Sequence, residues 1–436
     1  MTRTLMPIRT LRGFRDLLPD YMEDFRWVES RVRSVFERAG YREVLTPTVE
    51  PFELYEEKEG EQVEQSMFVF EDKGGRRVAL RPELTASVAR LFASTMGELK
   101  LPVKWYYVAN MFRYEEPQKM RYREFWQAGA ELIGASTPES DAEIVALGWD
   151  SMREVGLGDG AFIRLNNVMI VRGMLDSWGV PRDVQERVLT WMDKLGKVSE
   201  SEVEAGISEL IGRDRTRELL GLAELEGRDP SELESLVERY PKSREALENL
   251  ELVYEAVKAV GIRVRITPAL VRGLAYYTGT VFEVFVENVP YALGGGGRYD
   301  NLIAEYGGPS TPATGLSLGL DRIVEAVRER GIRGPRSRDG VYIAVVSEDL
   351  RVRAFALAQR LRYEGIRSDF ELRGGRSLSK QAEYADKLGW RFVIFLGRRE
   401  VEKGVYVVKD LESWEQHEVP EAELVNFLKS KLTSSL

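Results

Sequence analysis

FRYEEPQKMRYREFWQAGAELIG, residues 112–134, decides how this chain is built. Along an extended strand, residues two apart share a face, so Phe125, Gln127, Gly129 and Glu131 point one way and Trp126 points the other. An amide and a carboxylate then flank an empty glycine position, and polar groups separated by room suit a pocket for a small polar ligand. An exposed sheet face with incidental polar residues would give the same pattern. The preceding VKWYYVANMFRYE (residues 103–115) is equally rich in aromatic and β-branched residues, and the polar EEPQKMRY between the two strands predicts a hairpin loop. Arg113, Lys119, Arg121 and Arg123 cluster in and around that loop. Guanidinium forks bind phosphate oxygens in pairs, so the cluster suits a polyphosphate, although a solvated basic loop is the ordinary alternative and Glu115 and Glu116 temper the field.

Working outward, Val28, Val32, Val35 and Phe36 recur at helical spacing and predict a helix over residues 20–38, stopped at Gly40. Residues 44–51 read as β-rich, 86–95 as helix and 141–155 as a helix ending at Gly156. In RPELT (residues 81–85), Glu83 and Thr85 precede a helix that either could cap. RITPALVR (265–272) and TGTVFEVFVE (278–287) read as strands. The four glycines at 294–297, followed by Arg298, would let backbone approach a flat ligand closely. TPATGLSLGLDRI (311–323) reads as a turn entering a helix, with Arg322 near its start.

From Gln185 to Glu255 the pattern is helical, with 18 acidic against 10 basic residues, so this stretch carries −8 of the chain's net −9. The remainder is close to neutral, and the negative total does not argue against a nucleic-acid partner. RERGIRGPRSRDG (328–340) is the best linker candidate. Beyond it, strands and helices alternate over about 95 residues, as in a small α/β domain.

What the 436 residues lack narrows the chemistry. Cysteine is absent and His417 is the single histidine, which excludes disulfides, thiolate nucleophiles, Cys/His metal sites and Ser-His-Asp triads. No GxxxxGK[ST] phosphate loop occurs, and GGRSLSK (374–380) lacks the histidine pair that would make it a synthetase-type lysine loop. Carboxylates, arginines, hydroxyls and backbone remain. No run of about 18 apolar residues occurs, so no membrane span is expected. The N-terminus lacks the apolar stretch and cleavage site of a secretory leader, and a cytoplasmic protein is expected.

RGFRDLLP (12–19), RPELTASVAR (81–90), the opening stretch, VRGLAYYTGTVFEV (271–284), ALGGGGRYDNLI (292–303) and GLSLGLDRI (315–323) together resemble, in order, the motifs of histidyl-tRNA synthetases. SLSKQAEYADKLGWRFVIFLG (377–397) resembles their C-terminal anticodon-binding domain. The resemblance implies an α+β fold with a class II synthetase antiparallel sheet flanked by helices. Residues 1–330 would form the catalytic domain, with a helical insertion at about 172–258, 331–340 the linker and 341–436 an anticodon-binding α/β domain. It implies ATP-dependent attachment of histidine to tRNA(His) through a histidyl-adenylate, in a homodimer, with Mg²⁺ accompanying ATP and no metal ligand assignable among the side chains.

By the same resemblance Glu83, Thr85 and Gln127 hold the α-amino group, and Glu131 and Tyr277 bracket the imidazole nitrogens. Arg113 and Arg272 act at the α-phosphate and carboxylate, Arg121 and Arg322 clamp the β/γ-phosphates, and Phe125 stacks on adenine. Lys119 and Arg123 approach the tRNA acceptor end. Ala275 stands where the family usually has Asp, and Trp126 where it has His or Tyr. The rival reading is the regulatory paralogue that serves the first enzyme of histidine biosynthesis, which lacks the C-terminal domain and the motif arginines.

Overall fold

A computed structural model describes residues 8–59, 64–117, 120–227, 229–271, 276–334 and 339–432. The chain divides into two compact units, Met1–Gly334 and Pro335–Leu436.

Among its described residues the first unit has eleven strands: β1 (Arg42–Glu43), β2 (Val49–Pro51), β3 (Val69–Glu71), β4 (Arg77–Leu80), β5 (Val103–Phe112), β6 (Glu124–Ile133), β7 (Ala161–Asn167), β8 (Val264–Ile266), β9 (Thr280–Val286), β10 (Gly294–Arg298) and β11 (Ala313–Gly319). Eight form one sheet in the order β1-β5-β6-β11-β10-β9-β7-β8, and β2-β4-β3 form a small antiparallel sheet. The six central strands of the large sheet are antiparallel, while the edge strands β1 and β8 run parallel to their neighbours.

Strand parity sorts the faces. Ala128, Ala130 and Leu132 of β6 join Leu316 and Leu318 of β11 under the helices Pro19–Arg38, Pro138–Glu154 and Leu320–Glu329. The intervening residues of β6 face the other side, where the helix Thr85–Thr95 packs with Tyr107 and Met111. Helix Pro19–Arg38 forms because Phe25, Val28, Val32, Val35 and Phe36 make one buried stripe, with proline in its first turn. Gly40 follows at φ +83°, a left-handed conformation that costs glycine little.

Three sequence expectations change. Residues 44–51 are not one β segment: only Val49–Pro51, β2, is a strand there, and it joins the small sheet, while β1 of the large sheet ends before it at Glu43. RITPALVR is a strand only to Ile266, because Pro268 has no N–H for a ladder and Leu270 N–H turns back to the Thr267 carbonyl. TPATGLSLG is a central strand over Ala313–Gly319, hydrogen-bonded on both sides, where its glycines suggested a turn.

Six α-helices over residues 168–259 sit between β7 and β8. Asn167, ending β7, caps the first of them: its side-chain oxygen accepts from Met169 N–H at 3.0 Å. The second unit has β12 (Asp339–Val345), β13 (Ser368–Phe370), β14 (Trp390–Leu396), β15 (Val405–Asp410) and β16 (Gln416–Pro420) in the order β13-β12-β14-β15-β16. Its first three strands are parallel and the last two antiparallel. Apolar clusters lie on both faces of this sheet, with Val341, Ile343 and Val345 in one and Tyr342 and Ala344 in the other. Among the described residues no helix is long and apolar enough to cross a membrane.

Candidate active site

The odd face of β6 forms the floor of a cleft. Ser317 of β11 lies opposite Gly129 on one side and Gly295 on the other, so the middle of the floor is backbone with one hydroxyl. Gly296 sits where a Cβ would strike the carbonyl of Gly315, and Gly315 where a Cβ would overlap the Glu131 carboxylate. The cleft is lined by Glu83, Thr85, Tyr107, Arg113 and Gln127, by Tyr276, Tyr277 and Tyr299, and by the glycine floor.

Glu131 lies beneath this lining, 1% exposed. Its carboxylate accepts from Thr85 Oγ1 at 3.0 Å, from Tyr107 OH at 3.2 Å and, in a very short contact, from Tyr299 OH. Burial raises its pKa to about 8, with the Tyr299 and Thr85 hydrogen bonds pulling the other way and Glu83 adding to the rise. The phenols that donate to Glu131 are those of Tyr299 and Tyr107. Gly129 is not the empty position its sequence context suggested, because the Tyr107 ring from β5 lies over it. Tyr277, Tyr276 and Tyr299 form an aromatic wall, with ring centroids 4.9 and 5.8 Å apart in sequence.

Glu83 satisfies both of its possible roles. Its carboxylate accepts from the backbone N–H groups of Thr85 at 2.6 Å and Ala86 at 2.9 Å, capping the helix, and it lines the cleft. Gln127 Oε1 and Ser317 Oγ, in residues that also line the cleft, are buried without a hydrogen-bond partner among the described residues. Acceptors left in this state favour a ligand that brings N–H groups.

Arginines occupy the other end. Arg113 Nε donates to the Pro82 carbonyl at 3.1 Å, and its guanidinium lies 5.2 Å from the Phe125 ring centre. Arg322, on the first turn of helix Leu320–Glu329, donates to the Ala292 carbonyl at 2.9 Å. Burial lowers its pKa, and repulsion from Arg121 and Arg113 lowers it further. Arg322, repelled by both Arg121 and Arg113, belongs to a guanidinium cluster that suits a multiply charged anion. Arg123 is held by the Glu115 carbonyl at 3.2 Å and lies 4.1 Å over the Tyr114 ring. Trp126 faces away from the cleft and packs edge-on against Phe25 at 5.7 Å. Arg272, Ala275 and Lys119 lie outside the described residues.

Sequence reading missed Tyr107, Tyr299 and Ser317. Tyr299 directly follows the glycine run and Arg298, a position that was visible. Tyr107 and Ser317 take on meaning only from the cross-strand register.

A central antiparallel sheet with a glycine-floored cleft, a buried carboxylate at one end and arginines at the other is the catalytic domain of a class II aminoacyl-tRNA synthetase. Residues 13–323 match the histidyl-tRNA synthetase family and residues 340–431 the anticodon binding domain family. The histidine–tRNA ligase of Pyrococcus horikoshii is 40% identical over 439 residues, covering 98% of this chain and 99% of that protein. That of Methanocaldococcus jannaschii is 36% identical over 420 residues, covering 95% and 98%. The crystal structure of histidyl-tRNA synthetase from a Nostoc species superimposes with a TM-score of 0.79 at 26% identity, covering 98% of this chain and all of that one. The chain belongs to the histidyl-tRNA synthetase family. Full-length likeness to these ligases disfavours the regulatory-paralogue reading.

Proposed function

We propose that the chain attaches histidine to tRNA(His) at the expense of ATP. A carboxylate oxygen of histidine attacks the α-phosphorus of ATP, forming an O–P bond and expelling pyrophosphate, which leaves histidyl-adenylate. A hydroxyl of the terminal tRNA ribose then attacks the activated carbonyl, and AMP departs with the bonding pair. The observation that carries this reading is the buried Glu131 carboxylate, fixed by three hydroxyls beneath a cleft whose other end gathers arginines. An imidazole offers a donor and an acceptor on its edge, and a carboxylate beside phenols meets both.

In this reading Glu83, Thr85 and Gln127 hold the ammonium group, and Glu131 and Tyr277 select the imidazole. Arg113 and Arg272 stabilise charge developing at the α-phosphate, Arg121 and Arg322 grip the β- and γ-phosphates, and Phe125 stacks on adenine. The catalytic contribution is electrostatic stabilisation together with alignment of carboxylate and phosphorus. Lys119 and Arg123 approach the acceptor end of the tRNA. Among the described residues no three or more Asp, Glu, His or Cys side chains converge as a metal site. Mg²⁺ enters with the triphosphate, as part of the substrate, and neutralises charge there. Residues 1–330 would act as the catalytic domain with the insertion at about 172–258, and 341–436 would read the anticodon. A cytoplasmic homodimer completes the proposal.

Pyrophosphate exchange into ATP tests it. Exchange should require histidine; exchange driven equally by proline or glycine would reject the assignment.

A further inference from the structure

Arg15 belongs to none of the substrate contacts above; it packs against Tyr21 at 5.4 Å from the ring centre, and two further partners each adjoin a substrate contact. Its guanidinium is in a very short contact with Asp321 Oδ1 and lies 3.5 Å from the centre of the Tyr122 ring. Asp321 directly precedes Arg322, and Tyr122 directly follows Arg121. The other Asp321 oxygen accepts from the backbone N–H of Trp126 at 2.6 Å, next to Phe125. Asp321 is almost wholly buried, with its side chain 4% exposed. One arginine thus touches, at a remove of one residue, both arms of the proposed triphosphate clamp.

The rest of the segment runs along the same loop. Arg12 pairs with Glu116 at 2.7 Å, and Arg123 N–H donates to the Gly13 carbonyl at 2.9 Å. Gly13 is left-handed at φ +87°, and a Cβ there would press on the Arg123 side chain at 2.7 Å, so the chain can lie this close only as glycine. Phe14 meets the Phe68 ring at 5.9 Å.

A clamp of like charges needs an opposing restraint. Arg121 and Arg113 both repel Arg322, and the Glu115 carboxylate opposes that repulsion only in part. We propose that Arg15 is a positioning residue that staples the loop carrying Arg121 to the helix carrying Arg322, holding the β/γ-phosphate clamp at its working spacing in the free enzyme. This rests on the reading of Arg121 and Arg322 given above. The ion pair sets the distance through Asp321, and the face of Tyr122 sets the plane.

The experiment compares ATP, histidine and a non-hydrolysable histidyl-adenylate analogue, which has no β- or γ-phosphate. Arg15→Ala should raise the ATP KM in pyrophosphate exchange about tenfold, a loss typical of one removed charge-assisted contact. The histidine KM and the analogue affinity should stay within about twofold, since a loss confined to the clamp leaves the other subsites alone. Arg15→Lys, which keeps the charge without the planar face, should fall between. Asp321→Asn should give the same split, and the double variant Arg15→Ala/Asp321→Asn should be no worse than the poorer single one. A silent Arg15→Ala, or an equal fall in all three affinities, would overturn the proposal. Arg322→Ala separates the levels: if it leaves the ATP KM unmoved, the clamp itself is misassigned and this inference falls with it. If Arg322→Ala weakens ATP and Arg15→Ala does not, the staple alone is wrong.

Discussion

Replacing Tyr299 by Phe removes one oxygen and leaves the ring that packs against Tyr276. It takes away one of three hydroxyl donors to a carboxylate that is 1% exposed. A hydrogen bond to a charged group contributes about 1.5–3 kcal/mol, and one pKa unit corresponds to about 1.4 kcal/mol, so the Glu131 pKa should climb by about one to two units. Its starting value is about 8. At pH 8 the ionised fraction would drop from about one half to between about one tenth and one hundredth. If the carboxylate accepts the imidazole N–H, kcat/KM for histidine should fall about five- to fiftyfold at pH 8 and recover as the pH is raised, with the ATP KM unchanged. Pyrophosphate exchange across a pH series reads this directly. A value within twofold of the parent at pH 8, or a loss that does not depend on pH, would refute the role given to Glu131 and its hydroxyls. The sign for stability is opposite: with a folded-state pKa above that of the unfolded chain, Glu131 favours folding most below its unfolded pKa. That contribution is lost as the pH rises through about 8.

Asp141→Asn should destabilise the first unit by about 3–5 kcal/mol in denaturant titration, since it strips the more buried of two charge partners from Arg298, whose side chain is 8% exposed. An unchanged midpoint would show that Ser140, Asp300 and the Ala135 carbonyl suffice to hold that guanidinium. Gly296→Ala should either fail to fold or lose exchange activity, because its Cβ has only the Gly315 carbonyl to move against; full activity would mean the floor is softer than drawn. A chain ending at Gly334 should retain histidine-dependent exchange and lose most tRNA charging, and parallel loss of both would undo the division of labour between the units.

Parity made the cleft face of β6 readable, because an alternation of two needs only the strand itself. Its occupancy was not readable. Gly129 looked empty because the Tyr107 ring arrives from the neighbouring strand, and register across strands is not written in either one. The glycine-rich stretch 313–319 suggested a turn, as glycines usually do in exposed chain, yet between two hydrogen-bonded neighbours the same residues are held extended. The arginine cluster was legible as composition, whereas the repulsion of Arg322 by Arg121 and Arg113, and the contacts of Arg15 beside them, depend on the folded chain. Glu83 shows the limit differently: cap and cleft residue were weighed as alternatives, and one carboxylate does both.

A floor made of main chain has an implication for redesign. Gly294, Gly296 and Gly297 leave little there for substitution to adjust, because a Cβ at each would meet a peptide carbonyl, of Ser317, Gly315 and Thr280 in turn. Attempts to make the enzyme accept a different amino acid therefore have side chains to work with at Gln127, Ser317, Tyr277 and Tyr299.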